Sequence, residues 1–213
     1  GSRIRRTQTE TSAPVSSIDQ SALTDRGFVS VADALNQVTS ISPQLNIASG
    51  DGSSSGPGQQ FPNLFGLGAG RTLTLVNGRR MVTSSSGLGD AQVDANIIPI
   101  GLLERVEIVQ AGGAAVYGSD AIAGVVNYIL KKDFEGIELD GQASVSDYGD
   151  YPVYNMRGTF GQNFAGGKGN IALNVEWSKT ETLAFSDRPS TNLSRVTQAN
   201  AADGGPDDGI PAV

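Results

Sequence analysis

The stretch that decides the fold is residues 102–132, LLERVEIVQAGGAAVYGSDAIAGVVNYILKK. Two runs rich in Val, Ile and Leu, Leu102–Gln110 and Gly124–Leu130, are bounded by glycine, which is typical of buried strands. The residues between them are mostly Gly, Ala and Ser. They are too glycine-rich for a long helix, but they include enough alanine for one or two helical turns. The stretch therefore predicts a rigid unit of strand, compact link and strand.

The segments before this stretch predict short strands and short helices. Residues 1–12 are polar and without pattern, which indicates a flexible tail. A short strand is predicted at Val15–Ile18. Apolar residues at helical spacing in Ser30–Val38 predict an amphipathic helix that is capped by Ser30 and carries Asp33 in its first turn.

A hairpin is predicted further along. Arg71–Asn77 alternates and is rich in β-forming residues, and Asn77–Gly78 can supply the two positive φ angles of a tight turn. Arg79–Thr83 is then the return strand. In 97–103, Pro99 suits the start of a helical turn.

Two glycine- and serine-rich segments, residues 49–60 and 83–90, give the backbone no reason to form helix or strand, so we expect loops. Together these elements predict an α+β domain over residues 13–132, a small mixed sheet with short helices.

Beyond Lys132 the pattern changes to strict alternation. Apolar and polar residues alternate in 137–146, 154–161 and 171–178, which predicts three antiparallel strands. Each is about ten residues long, the length that crosses a bilayer when tilted, and aromatic residues lie toward the strand ends. A soluble β-sandwich alternates in the same way, so the pattern leaves both interpretations open. Three strands cannot close a membrane barrel, which needs about eight. On the membrane interpretation, residues 133–213 are therefore the first three barrel strands and the start of an external loop.

Composition excludes several kinds of function. Among 213 residues there is no Cys and no His, which excludes thiolate or imidazole metal sites and Ser–His or Cys–His nucleophile pairs. The net charge of −7 argues against a nucleic-acid partner. No pair of carboxylates has a catalytic setting, and no apolar run reaches the 18 residues of a transmembrane helix. We predict no cofactor, no metal and no enzymatic activity.

Three motifs resemble a known family. RTLTLVNGRR at 71–80, IIPIGLLERVEIVQ at 97–110 and VYGSDAIAGVVNYILKKDF at 116–134 are similar to the plug domain of TonB-dependent outer-membrane receptors. The motifs occur in the family's order and spacing, and the alternating strands begin where such a receptor's barrel begins. The resemblance covers roughly residues 13–180.

The resemblance implies an active transporter in the outer membrane of a Gram-negative bacterium. Its plug would fill the lumen of a large barrel, with the N-terminus in the periplasm. The receptor would bind a scarce nutrient outside the cell and import it with energy from the TonB complex. Its other partners would be outer-membrane lipid and the remaining barrel of the same receptor. The alternative is a soluble secreted β-rich binding or adhesion module.

By the same resemblance, the loops 51–60 and 83–92 are the apical loops that face the ligand. Their polar side chains could hydrogen-bond a small polar nutrient, although a solvated loop explains any one of them as well. The candidate ligand-binding residues are Ser53, Ser54, Gln59, Gln60, Ser84, Ser85, Ser86, Asp90 and Gln92.

One departure from the family concerns how the plug is held. Many members have plug arginines at the positions of Phe65 and Gln110, and these arginines pair with barrel glutamates. Because both are missing here, we expect a different latch. The candidate residues are Arg71, Glu104, Arg105 and Gln110.

Overall fold

The computed structural model describes residues 15–42, 59–85, 91–110 and 113–181. The predicted tail at 1–12, most of the predicted loop at 49–60 and the segment after residue 181 lie outside the described residues. The described residues up to Gln142, together with Asn155–Ser178, form one compact unit, and those of Ala143–Tyr154 and from Lys179 onward form a second. The described residues contain ten strands: β1 Val15–Asp19, β2 Thr72–Val76, β3 Arg79–Arg80, β4 Ser84–Ser85, β5 Ala91–Gln92, β6 Leu103–Gln110, β7 Gly124–Leu130, β8 Gly136–Ser144, β9 Val153–Phe164 and β10 Gly169–Thr180.

Five of these strands form a mixed sheet in the order β1-β6-β7-β2-β3. All neighbours are antiparallel except β2 and β7, which are parallel. We refer to the described residues 15–132, which contain this sheet, as the five-stranded domain. The mixed sheet with short helices confirms the predicted α+β fold class.

The two strands predicted from residues 102–132 lie at the centre of this sheet. β6 and β7 pair antiparallel, with Val106 opposite Tyr128 and Gln110 opposite Gly124. The link between them forms the short helix α3, Ala114–Tyr117, and a 3₁₀ turn at Ser119–Ala121, as its alanine content predicts. This link is tightly packed, since a Cβ on Gly113 would lie 3.0 Å from the Ala121 carbonyl oxygen.

In the part of the chain that the structure describes, two further α-helices precede β2. Helix α1 spans Gln20–Thr24 and helix α2 spans Val31–Leu35. The predicted cap of α2 is confirmed, because Ser30 Oγ accepts a hydrogen bond of 3.1 Å from the Asp33 N–H. The helix is shorter than predicted. After Leu35, Gln37 and Val38 bond to carbonyls three residues back, so the α-helix gives way to tighter turns.

The predicted turn at Asn77–Gly78 is confirmed by φ angles of 49° and 77°. Its return strand is shorter than predicted, since only Arg79–Arg80 pair with β2. The segment predicted as a loop at 83–90 contains one end of a small hairpin, in which β4 pairs with β5. Pro99 directly precedes a 3₁₀ turn at Ile100–Leu102, as expected.

The core of the five-stranded domain is apolar and lies between the sheet and the short helices. Leu103, Val106 and Ile108 of β6 are each 0% exposed. Tyr128 of β7 is also buried, and this burial, together with the charge of Asp94, raises the pKa of its phenol. The main cluster adds Leu23, Val31, Ala32, Ala34, Leu35, Ile41, Leu64, Ala95, Ile98, Ile100, Ala123 and Val126.

The last three strands form a separate sheet in the order β10-β9-β8, which we call the outer sheet. Its faces are the reverse of those in a soluble sandwich. The apolar side chains point away from the protein, with Leu139 81% and Leu173 60% exposed, whereas Arg157 is 7% and Thr159 2% exposed on the opposite face. A sheet that turns its apolar face outward needs an apolar surrounding.

Among the described residues, no helix is long and apolar enough to cross a membrane.

Candidate functional site

The predicted ligand-binding residues lie in very different surroundings. Ser53, Ser54, Ser86 and Asp90 fall outside the described residues. Ser84 and Ser85 form β4, and Gln92 of β5 is buried. Gln59 is half-buried and Gln60 is only 3% exposed. For all of them, ligand binding stays a prediction.

Gln60 fixes the end of its loop to the five-stranded domain. Its Oε1 accepts a hydrogen bond of 3.2 Å from Asn36, and its Nε2 donates to Asp33 at 3.3 Å. Its backbone N–H donates to Asp94 at 3.0 Å, and its carbonyl accepts from the Ala95 N–H at 2.8 Å. Both ends of the amide are therefore used within the protein, so Gln60 anchors the loop.

Among the predicted latch residues, Arg105 interacts with its own strand. Its guanidinium pairs with Glu107 at 2.9 Å and also with Glu104. Burial acts to lower the pKa of Arg105, but the hydrogen bonds and charges of the two glutamates outweigh it and raise the pKa. The charge of Arg105 is thus already balanced within β6.

The other two candidates also bond within the five-stranded domain. Arg71 Nη1 donates to the Leu67 carbonyl at 2.7 Å, and Gln110 Nε2 donates to Ser40 Oγ at 3.1 Å. A latch role for Arg71, Glu104, Arg105 or Gln110 stays a prediction.

Other residues, which sequence reasoning missed, join the five-stranded domain to the outer sheet. Arg157 of β9 contacts Glu176 of β10 at 3.0 Å and Asp140 of β8 at 3.5 Å. Glu176 also accepts a hydrogen bond of 3.3 Å from the N–H of Gly101. The available signal was a charged residue at the centre of each alternating strand, on the polar face.

A second contact lies at Gly27. Gln142 of β8 donates a hydrogen bond of 2.8 Å to the Gly27 carbonyl. Gly27 has a φ of 72°, which favours glycine, and a Cβ there would lie 2.5 Å from Gln142 Nε2. Both contacts therefore join a side chain of the outer sheet to backbone at a glycine.

The chain passes from one sheet to the other at residues 131–135. Lys131 Nζ lies 3.2 Å from Glu138 and 4.8 Å from the centre of the Phe134 ring. The Phe134 carbonyl accepts a hydrogen bond of 2.8 Å from Asn170 of β10. Gly161 lets this carbonyl approach β9, since a Cβ there would lie 2.3 Å from the Phe134 oxygen. The crossover is thus fixed to the outer sheet.

An exposed ion pair joins β3 to the link between β6 and β7. Arg80 Nη1 lies 2.5 Å from Asp120, and Arg80 also donates to the Tyr117 carbonyl. The hydrogen bond from Arg80 lowers the pKa of the Asp120 carboxyl. Both side chains are about half exposed, so the pair adds little to stability.

The described residues contain no group of three or more His, Cys, Asp or Glu side chains that could hold a metal ion. The polar contacts described above can hold two parts of a protein together. They form no nucleophile and base pair.

A comparison with protein families finds a match to the TonB-dependent receptor plug domain over residues 7–125. Among curated proteins, the chain is 27% identical over 172 residues to the ferric enterobactin receptor of Pseudomonas aeruginosa, covering 78% of this chain and 22% of that receptor.

Among solved structures, a variant of that receptor matches with a TM-score of 0.67 and 20% identity, over 95% of this chain and 29% of the other. The siderophore receptor PirA of Acinetobacter baumannii matches with a TM-score of 0.58 and 22% identity, over 83% of this chain and 26% of the other. At these identities the two structures show a shared fold. The chain spans less than a third of the length of these relatives.

Proposed function

The chain belongs to the family of the TonB-dependent receptor plug domain, and on this premise we propose that it forms the plug and first barrel strands of an outer-membrane nutrient transporter. In this proposal residues 13–132 are the plug and residues 133–213 begin the barrel. The receptor binds a scarce nutrient outside the cell and imports it into the periplasm with energy from the TonB complex.

The observation that carries the proposal is the inverted outer sheet. Ile171, Leu173 and Val175 of β10 are between 60% and 62% exposed. They alternate with Ala172, Asn174 and Glu176, of which Asn174 and Glu176 lie close to Gly101 of the five-stranded domain. In water this arrangement exposes apolar area, which is unfavourable at about 25 cal/mol per Å². In lipid the same face is favourable. A barrel wall with a plug on its polar side accounts for both faces.

The nutrient that similarity supports first is a ferric siderophore. The curated relative is named as a receptor for ferric enterobactin, and one of the structural matches is named as a siderophore receptor. We propose that the loops 51–60 and 83–92 face the ligand and that Ser53, Ser54, Gln59 and Asp90 contact it. Because these relatives are receptors, we assign the chain no catalytic role.

The test uses the full-length receptor gene in its own bacterium. Deletion should reduce growth on a ferric siderophore as the sole iron source, and the intact gene should restore it. If the deletion strain grows normally on iron chelates but fails to grow on a saccharide or with cobalamin, the substrate belongs to that other class.

Cell fractionation separates the proposal from the alternative of a soluble secreted module. The proposal requires the protein in the outer membrane, with the heat-dependent gel mobility of a folded barrel. Folded protein in the culture medium, with none in the outer membrane, would overturn it.

A further inference from the structure

The strongest unexplained feature is the contact between the outer sheet and one peptide bond of the five-stranded domain, the bond between Ile100 and Gly101. Glu176 accepts a hydrogen bond of 3.3 Å from the Gly101 N–H. On the other side of the same peptide bond, Gln20 Nε2 donates to the Ile100 carbonyl at 3.3 Å. The peptide bond is therefore held on one side by Gln20 of helix α1 and on the other by Glu176 of the outer sheet.

The space at Gly101 admits no side chain. A Cβ there would lie 2.2 Å from Asn174 Oδ1, 2.3 Å from Thr159 Oγ1 and 3.1 Å from Arg157 Cδ. Thr159 also donates a hydrogen bond of 2.8 Å to Asn174, so the two polar groups nearest the glycine are already bonded to each other. Glycine at this position is what lets the backbone reach the polar face of the outer sheet.

Arg157 holds the carboxylate of Glu176 in position. The Arg157 Nε lies 3.0 Å from Glu176 and its Nη1 lies 3.5 Å from Asp140, so one guanidinium joins all three strands of the outer sheet. The Arg157 side chain is only 6% exposed. A buried arginine between two carboxylates fixes their positions, and loss of either carboxylate leaves the buried guanidinium with one partner instead of two.

We propose that Glu176 and Gly101 form the latch that holds the plug to the barrel wall, with Arg157 as the residue that positions Glu176. The polarity is opposite to that of the lock implied by the resemblance, in which arginines of the plug reach carboxylates of the barrel. Here the arginine belongs to the wall and the plug offers a backbone N–H. The sequence has Phe65 and Gln110 where those plug arginines would be. The inference rests on the proposed function because it takes the outer sheet as barrel wall.

The experiment measures how often the plug leaves the wall. Thr159 is 2% exposed beneath Gly101 and these 213 residues include no cysteine, so T159C in a full-length receptor otherwise free of cysteine reports the separation. The rate of labelling by a membrane-impermeant maleimide is measured in isolated outer membranes. Heat-dependent gel mobility shows in the same samples that the barrel has assembled.

Arg157→Gln and Glu176→Ala should each raise the labelling rate about tenfold or more, because the first removes the guanidinium that positions Glu176 and the second removes the carboxylate that accepts from Gly101. Arg157→Lys keeps the charge but loses the guanidinium geometry, so its rate should be intermediate. The matched control is Lys179→Gln. It removes an exposed ion pair between Lys179, near the end of β10, and Glu181, just after that strand, so the labelling rate should be unchanged.

Assembled Arg157→Gln and Glu176→Ala receptors that are labelled at the native rate would overturn the latch. If these variants do not assemble, Gly101→Ala decides, since it changes no wall residue beyond the T159C reporter that all the variants share. Faster labelling of that variant supports the proposal and a native rate overturns it. A receptor that is in the outer membrane and imports its nutrient, yet gives this negative result, refutes the latch alone.

Discussion

The five-stranded domain and the outer sheet place the same kinds of side chain in opposite positions. Leu103 is 0% exposed in the domain, whereas Leu173 is 60% exposed in the outer sheet. The side chain of Arg105 is 33% exposed in the domain, whereas that of Arg157 is 6% exposed in the sheet. Alternation along a strand fixes which residues share a face. The surroundings then decide which face is covered.

The largest expected effect comes from the apolar core of the domain. Leu103→Ala should destabilise the domain by about 2–5 kcal/mol, because it leaves a cavity in a packed interior. In the proposed receptor, the matched variant Leu173→Ala should cost much less, since lipid would fill the space. The measurement is hydrogen exchange of the β6 and β7 amides in the intact receptor. Equal losses of protection in the two variants would contradict the comparison.

A charge on the outer face should have the next largest effect. Leu173→Arg should destabilise the receptor in a bilayer by about 2–4 kcal/mol, because the charge enters the hydrocarbon region. Ser144→Arg places the same charge at the end of β8, on the polar face of the outer sheet. It should change the free energy of unfolding by close to zero. Urea unfolding in lipid vesicles measures both. If Leu173→Arg were tolerated as well as Ser144→Arg, the outer sheet would not face lipid.

Glycine has a different role in the two regions. At Gly78 of the domain, with a φ of 77° and open space around it, alanine should cost about 1–2 kcal/mol through the backbone alone. At Gly141 of β8, which also has open space but no positive φ, alanine should be neutral or stabilise by about 0.5–1 kcal/mol. Chemical denaturation of the two single variants tests the contrast, which fails if Gly141→Ala is the more harmful.

The smallest effect concerns the exposed pair of Arg80 and Asp120, the counterpart of the buried Arg157. The folded state lowers the pKa of Asp120, so the pair stabilises the protein above the ordinary carboxyl pKa near 3.8 and this contribution is lost as the pH falls through the lowered pKa. We expect Arg80→Gln to cost less than about 1 kcal/mol at pH 7 and nothing at pH 2. Denaturation of native protein and variant at both values measures this. A larger cost in acid would contradict the assignment.

Features set by neighbouring residues could be predicted from the sequence. The Ser30 cap, the Asn77–Gly78 turn and the strands β6 and β7 depend on residues a few positions apart, and the structure confirms them. The end of α2 and the length of β3 could not be predicted, because packing sets them.

The contact at Gly101 was missed for a related reason. Gly101 and Glu176 are 75 residues apart, and only the fold brings them together. Gln60 could not be assigned from the sequence for the same reason. The composition of residues 49–60 suggests a loop that binds ligand, whereas the Gln60 side-chain amide forms hydrogen bonds with Asp33 and Asn36 of the five-stranded domain. The sequence shows the chemical type of each residue, but only the fold shows which residue it contacts.

The position of β1 determines how the plug responds to traction. β1 lies at the edge of the sheet, with Val15 opposite Val109 and Asp19 opposite Arg105. In the proposed receptor, the TonB complex pulls from the N-terminal side of Val15, while Phe134 anchors the chain near the far end of β7. The load then runs along the strands, so the five paired positions of β1 resist it together and should shear apart in one step. Single-molecule pulling should show one distinct force peak for this strand, whereas gradual peeling at low force would show that the load takes another direction.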